Sequence, residues 1–237
     1  MVSAFLSAPE HGQGARFVVT ANVDHIVQLR RNADLRDAYA NAWCRTVDGT
    51  PVYLYARLRG VGVPKVTGAD LFARVMERLN PAVHRPFFVC ASEEIAQGLK
   101  QGLVQRGFPP EAVGSAIPPF GFEKDPAFGE RMAAAIRDHG TTHLFFGVGC
   151  PKSEIWMNRH RNVLGDVYAC AVGAALAFHI GALSRAPRLV RKMGMEWLWR
   201  ALQEPNRLLK RYFVHSWAFL AIVRDDMKGA VSLIDRA

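Results

Sequence analysis

Acidic and polar residues stand directly after short apolar runs of this sequence. Asp48 follows the run Cys44–Val47 and precedes a glycine, while Thr20 and Asn22 stand at the end of an earlier run, residues 16–20. A carboxylate in such a position can act as a general base at the mouth of a sheet. An Asp-Gly pair is also a common turn, and spacing alone favours that simpler interpretation of Asp48.

A second segment, residues 147–154 (GVGCPKSE), combines two glycines with a proline and a lysine. Pro151 and Glu154 are typical of the first turn of a helix, which is the plain structural interpretation. A helix start at the carboxyl end of a strand can also hold phosphate, with Gly149 and Lys152 as the candidate residues. The third glycine of a dinucleotide fingerprint is missing, so the segment only weakly supports a nicotinamide enzyme.

The third group of chemically capable residues is a basic segment near the C-terminus. Residues 185–215 hold eight Arg or Lys residues against two glutamates, interleaved with Trp and Leu. Pro187 and Pro205 are suited to the first position of helices, which predicts a set of short amphipathic helices. Such helices can bind nucleic acid, lie on an anionic membrane or form a solvated face. The mixture of Trp, Leu and Arg favours the membrane interface.

The elements that must position these residues alternate between short apolar runs and longer amphipathic stretches. Strands are predicted at residues 16–20, 44–47, 86–90, 143–147 and 167–172, and helices at 24–41, 70–79, 93–106, 128–139 and 152–161. This alternation indicates an α/β fold, a parallel sheet with helices on both faces. Ligands of such sheets bind at the carboxyl ends of the strands, where the candidate residues stand.

Composition narrows the classes of partner. The 237 residues are 50% hydrophobic with a net charge of +9, so the chain can bury a core and suits an anionic partner. The four cysteines form no CxxC pair and are predicted to be buried thiols in a reducing cytosol, not zinc ligands or disulfides. No apolar run reaches the ~20 residues of a membrane span, and the first residues are a poor signal peptide.

Several segments, taken together, resemble one bacterial enzyme family. They are TANVDH at 20–25, VDGTPV at 47–52, VTGADL at 66–71 and GVGCPKSEIW at 147–156. The most specific is the tail pattern, with RAP at 185–187, GMEWLWR at 194–200 and QEPNR at 203–207. Their order and spacing are similar to those of the WecG/TagA/CpsF glycosyltransferases over roughly residues 16–213.

The resemblance implies a Rossmann-like catalytic domain, residues 1–185, and an arginine-rich amphipathic appendage, residues 186–237, that closes over the donor. It implies transfer of a hexose or N-acetylhexosamine-type sugar from a UDP-sugar to a polyprenyl-diphosphate-linked acceptor. The products would feed exopolysaccharide, capsule, common antigen or teichoic acid synthesis. The reaction would be inverting, with no metal and no cofactor. The protein is expected in the cytoplasm, bound peripherally to the anionic inner face of the plasma membrane, and the apolar tail favours self-association.

The resemblance also assigns candidate site residues. Asp48 matches the family's proposed catalytic base, and Thr20 and Asn22 match polar positions of its donor pocket. The other predicted substrate-binding residues are Lys65, Thr67, Gly149, Lys152, Glu154, Arg185, Arg200, Arg207 and Arg211. The sequence has no DxD pair to bind a metal. The arginines are therefore expected to meet the charge of the departing diphosphate, because guanidinium suits phosphate geometry.

Three positions depart from the family pattern. Ser153 stands where Gln is usual, Cys90-Ala91 where two glycines are usual, and Ala177 in a segment where Asp is usual. Because that Gln contacts the sugar in relatives, the donor sugar of this chain stays open. One alternative is a divergent, weakly active member of the family. Another is a nucleic-acid-binding module driven by the positive charge, although its basic residues concentrate in the tail and not over the core.

Overall fold

A single sheet of six parallel strands forms the centre of the protein. The computed structural model describes residues 4–187, 189–190, 193–203 and 205–229, without the side chains of residues 6 and 206–214. The strands are β1 (Ala15–Ala21), β2 (Cys44–Val47), β3 (Pro86–Val89), β4 (Gly114–Ala116), β5 (His143–Phe146) and β6 (Val167–Ala171). Their order across the sheet is β2-β1-β6-β5-β3-β4. Five confirm predicted strands, whereas β4 consists of small residues and carries no apolar signal.

Helices follow the strands along the chain and cover both faces of the sheet. They are α1 (Val23–Leu29), α2 (Ala33–Asn41), α3 (Thr50–Leu58), α4 (Gly68–Arg78), α5 (Glu93–Gln105), α6 (Pro126–Asp138), α7 (Lys152–His160), α8 (Ala175–His179), α9 (Glu196–Gln203) and α10 (Pro205–Met227). The predicted α/β, Rossmann-like architecture with a helical C-terminal segment is thereby confirmed.

The strands are buried because successive side chains enter two different cores. In β5, Phe145 packs into one cluster with Phe88 and Phe72, while Leu144 and Phe146 pack into the cluster on the opposite face. Side chains alternate across a strand, so a strand covered on both faces must be apolar throughout. This requirement explains why the apolar runs located the strands so closely.

Near the N-terminus the structure differs from the prediction in one helix boundary and in one additional helix. The helix predicted over residues 24–41 is divided into α1 and α2, because the side chain of Asn32 accepts a hydrogen bond from the Leu35 N–H at 3.0 Å and starts a new helix. The glycine after Asp48 also precedes a helix that was not predicted. Gly49 has a φ of 102°, and α3 begins directly after it.

The C-terminal segment also differs from the prediction. It contains one short helix, α9, as predicted, but ends in α10, a helix of 23 residues that begins at Pro205 as expected. Phe219 and Ile222 of α10 pack with Val27 of α1 and Val52 of α3 in a separate apolar cluster. Within the described residues, no helix is both long enough and apolar enough to cross a membrane.

The cysteines divide into two pairs by burial. Cys90 and Cys170 are buried, as predicted, whereas Cys44 and Cys150 are half-buried. All four are free thiols. The prediction of four buried thiols was therefore wrong for two of them, because Cys44 begins a strand near the sheet edge and Cys150 lies in a loop after β5.

Candidate functional site

A cleft of about 590 Å³ opens at the carboxyl ends of the central strands. Its walls come from the residues that directly follow β1, β2, β5 and β6, which is the edge where parallel sheets bind ligands. The predicted site residues in its lining are Thr20, Asn22, Asp48, Gly149, Lys152, Glu154 and Arg200. Residues from the sheet and from the C-terminal segment therefore meet in one cavity.

Asp48 is held at the end of β2 by its backbone and by its side chain. Its N–H donates to the carbonyl of Ala21 at 2.7 Å, and its Oδ2 accepts from the Gly68 N–H at 3.3 Å. Burial raises the pKa of Asp48 to about 6, although the Gly68 hydrogen bond acts in the opposite direction. The site therefore holds a carboxylate that is ionised at neutral pH and more basic than an ordinary aspartate.

Thr20 and Asn22 line the cleft beside this carboxylate. Thr20 is buried at the end of β1. The side chain of Asn22 accepts a hydrogen bond from the His25 N–H at 3.1 Å and caps α1. Capping α1 is therefore a structural role of Asn22 that is typical of asparagine. Because Asn22 also lines the cleft, it could contact a ligand that binds there.

The loop between β5 and α7 forms another wall. Gly149 has a φ of 87°, a conformation that favours glycine, and a Cβ at Gly147 would lie 2.6 Å from Leu176 Cδ1, so a larger residue at 147 would have to displace that side chain. Lys152 at the start of α7 lies in the lining, with its Nζ 4.6 Å from the centre of the exposed Phe120 ring. Backbone N–H groups and a mobile cation are the groups that bind phosphate in comparable sites.

Arg200 brings the positive charge of α9 to the same cleft. Its Cζ lies 5.9 Å from the centre of the Phe178 ring. Burial has the largest effect on the pKa of Asp48; in addition, the positive charge of Arg200 lowers this pKa and the negative charge of Glu196 raises it. Arg185 connects the segment to the sheet domain through Asp70, at 2.6 Å, and contacts Glu196 at 3.8 Å.

A buried polar cluster occupies the floor of the cleft below α7. His25 Nε2 lies 3.7 Å from Glu154 Oε1, and His25 Nδ1 lies 2.6 Å from the Tyr39 hydroxyl. Burial lowers the pKa of His25 to about 4 and raises the pKa of Glu154 to about 7. Burial also raises the pKa of the neighbouring Cys150 thiol well above its usual range. Lowered basicity keeps His25 neutral at physiological pH.

The arrangement combines a carboxylate of raised basicity with fixed cations in one concave site. Such a pairing suits a reaction in which a hydroxyl loses a proton while a negatively charged group departs. The sequence as a whole matches the profile of the glycosyl transferase WecG/TagA/CpsF family over residues 1–230.

This chain belongs to the WecG/TagA/CpsF glycosyltransferase family. Because the match covers nearly the whole chain, it includes both the sheet and the C-terminal helices. The family assigns a general glycosyltransferase role, with a sugar donor and a glycan acceptor as partners. The cleft is the candidate site for that transfer.

Five of the residues predicted for this glycosyltransferase are not among the described residues that line the cleft. Lys65 donates to Thr50 Oγ1 at 2.9 Å, and Thr67 caps α4 by accepting from the Asp70 N–H at 3.0 Å. The backbones of Arg207 and Arg211 belong to α10, but their side chains lie outside the described residues. Arg185, as given above, forms ion pairs outside the lining of the cleft.

The departures from the family pattern fall in different places. Ser153 is fully buried and its Oγ donates to the Gly149 carbonyl at 3.1 Å, so it supports the loop of the cleft from behind. Ala91 and Ala177 lie in the lining itself. Both side chains are methyl groups, so substitutions at these two positions change the shape of the cleft directly.

His25 and Cys150 are lining residues to which the sequence assigned no role. Both lie inside segments that carry the family resemblance, TANVDH and GVGCPKSEIW. Cys150 stands four residues before Glu154, but the proximity of His25 to Glu154 could not be inferred from sequence spacing, because α1 and α7 are far apart along the chain.

Proposed function

We propose that this protein transfers a hexose or N-acetylhexosamine-type sugar from a UDP-sugar to a polyprenyl-diphosphate-linked acceptor, with inversion at the sugar carbon. The observation that carries the proposal is that Asp48, from the sheet domain, and Arg200, from α9, line one cleft. The acceptor hydroxyl needs a base as it attacks, and the departing UDP needs positive charge. The product would be a lipid-linked intermediate of cell-surface polysaccharide synthesis.

Asp48 is the proposed general base. Its pKa of about 6 keeps it deprotonated at neutral pH while giving it more affinity for a proton than an exposed carboxylate. A single displacement uses one such base and inverts the sugar carbon. The proposed proton path runs from the acceptor hydroxyl to the Asp48 carboxylate as the new glycosidic bond forms and the bond to UDP breaks.

Arg200 and Lys152 are the proposed partners of the diphosphate. Both line the cleft, Lys152 from the start of α7 and Arg200 from α9. A guanidinium can donate two parallel hydrogen bonds to phosphate oxygens, and the start of α7 adds N–H groups to the same region. Thr20, Asn22 and Glu154 are then available to the sugar, and Arg207 and Arg211 stay proposed contacts of the diphosphate.

The segment from residue 186 onward is proposed to serve as a membrane-facing appendage. Its exposed large apolar residues are Leu189, Met193, Trp197, Leu202, Trp217, Leu220 and Met227. Exposed Trp and Leu among basic residues are typical of helices that lie in the interface of an anionic membrane. This placement would bring a lipid-linked acceptor to the cleft at the cytoplasmic face of the membrane.

The proposal is tested with a panel of UDP-sugars, the free nucleotides UDP, ATP and NAD⁺, and duplex DNA. A ligand that binds only the native state raises the midpoint temperature of unfolding. At a free concentration a hundredfold above its Kd, it adds about 2.7 kcal/mol to the free energy of unfolding. We expect UDP and at least one UDP-sugar to raise it, and acceptor-dependent UDP release with the same sugar. Stabilisation by NAD⁺ or by duplex DNA, with none by UDP, would overturn the proposal.

The proposed mechanism also predicts that sugar transfer requires no metal ion. Since Arg200 and Lys152 are assigned the leaving-group charge, transfer should continue in excess EDTA. The measurement is UDP release with and without chelator, followed by addition of Mg²⁺ or Mn²⁺. A strict requirement for either ion would contradict the proposed role of the two side chains.

A further inference from the structure

Three potential metal ligands meet on the floor of the cleft. His25, Cys150 and Glu154 each bring one ligand atom, and these atoms all lie within 4.8 Å of one another. His25 belongs to the first turn of α1, Cys150 to the loop after β5 and Glu154 to the first turn of α7. Cys150 and Glu154 thus come from one short segment, and the fold brings His25 to them.

The cluster holds one buried carboxylate oxygen without a hydrogen-bond partner among the described residues, although the same carboxylate is hydrogen-bonded with the Cys150 side chain. Glu154 is 1% exposed, and its Oε2 has no hydrogen-bond partner in that part of the chain. A buried polar atom in this condition is costly, so its position calls for a partner that approaches from the cleft. Because all three residues line the cleft, such a partner can reach them.

The set of atoms specifies the chemistry of that partner. An imidazole nitrogen, a thiolate and a carboxylate oxygen together suit a borderline-soft cation and are typical ligands of Zn²⁺. Bonds of 2.0–2.3 Å in a tetrahedral arrangement separate the ligand atoms by roughly 3.3–3.8 Å. His25 Nε2 and Glu154 Oε1 already stand 3.7 Å apart.

The surroundings of the cluster also fit a metal. Tyr39 contacts His25 Nδ1 at 2.6 Å, which lets the ring keep its proton on that nitrogen and turn the lone pair of Nε2 toward Glu154. Hydrogen bonds of this kind orient metal-binding histidines. Gln28 Nε2 lies 3.7 Å from Cys150 Sγ and can donate to a thiolate there.

We propose that His25, Cys150 and Glu154 bind a thiophilic divalent cation of the Zn²⁺ class, with a further coordination position open to the cleft. On binding, the Cys150 thiol gives up its proton to solvent and a bond forms between sulfur and the metal. No oxidation or reduction is involved. The ion has no chemical step in the sugar transfer proposed above. It would share Glu154 with the proposed sugar contact, so metal binding is measured without the donor and stands or falls separately from the transfer.

Metal binding is measured directly on the full-length protein after treatment with EDTA and dialysis. Titration with Co²⁺ should give the near-ultraviolet absorption of cobalt–thiolate coordination, saturating at one ion per chain. Zn²⁺ should abolish this absorption and should compete for the ion with a chromophoric chelator. Neither readout depends on activity, so a failed sugar-transfer assay leaves this test intact.

Matched variants identify the ligands. Cys150→Ala should remove the cobalt–thiolate absorption, whereas Cys44→Ala, at the other half-buried thiol, should leave it unchanged. Glu154→Gln and His25→Gln should each weaken zinc affinity about tenfold or more, and Tyr39→Phe, which removes only the orienting hydroxyl, about tenfold. Circular dichroism of every variant checks that the fold is retained.

Three results would overturn the inference. They are the absence of saturable binding by the wild-type protein, equal binding by wild type and Cys150→Ala, and loss of the absorption in Cys44→Ala alone. If Cys150→Ala lowers the unfolding midpoint but the wild type binds no metal, the cluster is a buried hydrogen-bonding group and not a metal site.

Discussion

The sheet and the C-terminal helices of this protein are held by different forces. The two faces of the sheet are packed by large clusters of fully buried apolar residues, including Phe72, Phe88 and Phe145. The helix α10 has a smaller apolar seam around Phe219 and Ile222. Ion pairs supplement that seam: His215 with Asp24 at 2.7 Å, Arg30 with Asp225 at 3.4 Å, and Arg59 with the buried Asp226.

This difference matters because the two regions deliver different groups to one cleft. Asp48 stands on a strand end that is fixed by backbone hydrogen bonds, whereas Arg200 stands on α9 and depends on how the C-terminal segment is docked. Regions with few buried apolar contacts open at lower free energy than the global unfolding. We therefore expect Asp48 to keep a fixed position in the cleft and Arg200 to move with the C-terminal segment.

The largest expected effect separates the two regions by stability. Phe145→Ala should lower the free energy of unfolding by about 3–5 kcal/mol, because Phe145 is fully buried between neighbouring aromatic rings. Phe219→Ala should cost less, about 1–3 kcal/mol, and should show first as faster hydrogen exchange in α10. Urea unfolding and hydrogen exchange measure both. Equal global losses would mean that α10 is as integral to the fold as the sheet.

The second prediction tests the contribution of the sheet to catalysis. Asp48→Asn should reduce turnover by about 10²-fold or more, since an amide cannot accept the acceptor's proton. UDP binding and the unfolding midpoint should change little. Asp138→Asn is the matched control, because Asp138 is exposed at the end of α6 and its ion pair is with the adjacent Arg137. If Asp48→Asn retains near wild-type turnover, the residue only shapes the junction between β2 and α3.

The third prediction tests the contribution of the C-terminal segment. Arg200→Ala should reduce kcat/KM for the UDP-sugar about tenfold or more on a soluble acceptor analogue, and Arg200→Lys should restore part of the loss. Arg185→Ala is the informative comparison. Arg185 and its partner Asp70 are both partly exposed to solvent, so this pair should contribute only about 1 kcal/mol to stability, and less at high salt.

Steady-state kinetics on the two arginine variants separates the proposed roles. We expect Arg200→Ala to affect transfer directly and Arg185→Ala to act only through docking of the segment. A loss for Arg185→Ala as large as that for Arg200→Ala, with no change in stability, would place Arg185 among the groups that contact the diphosphate.

The smallest expected effect is a pH dependence that is set by Asp48. The pKa of Asp48 is raised to about 6, and only its deprotonated form can accept a proton. The rate should therefore fall about tenfold for each pH unit below 6 and be level above it, until another group titrates. The same profile should persist in Arg200→Lys, which retains a positive charge. A level profile down to pH 5 would exclude Asp48 as the base.

Much of the fold could be predicted from the sequence because its signals are local. Apolar runs located five of the six strands, and their alternation with amphipathic stretches indicated the parallel sheet. The same runs pointed to Asp48, Gly149 and Lys152 as residues at the carboxyl edge, and all three line the cleft. The division between α1 and α2 was missed because the capping preference of Asn32 competes with a continuous helical pattern.

By itself, the sequence determined the elements, the family and the edge of the sheet at which the site lies. Tertiary structure alone decided which distant side chains meet there. It brought His25 to Glu154, brought Arg200 to the cleft that holds Asp48, and took Lys65 and Arg185 to other partners. The physical reason is that hydrophobic periodicity acts over a few residues, whereas these contacts depend on strand order and on how helices pack across it.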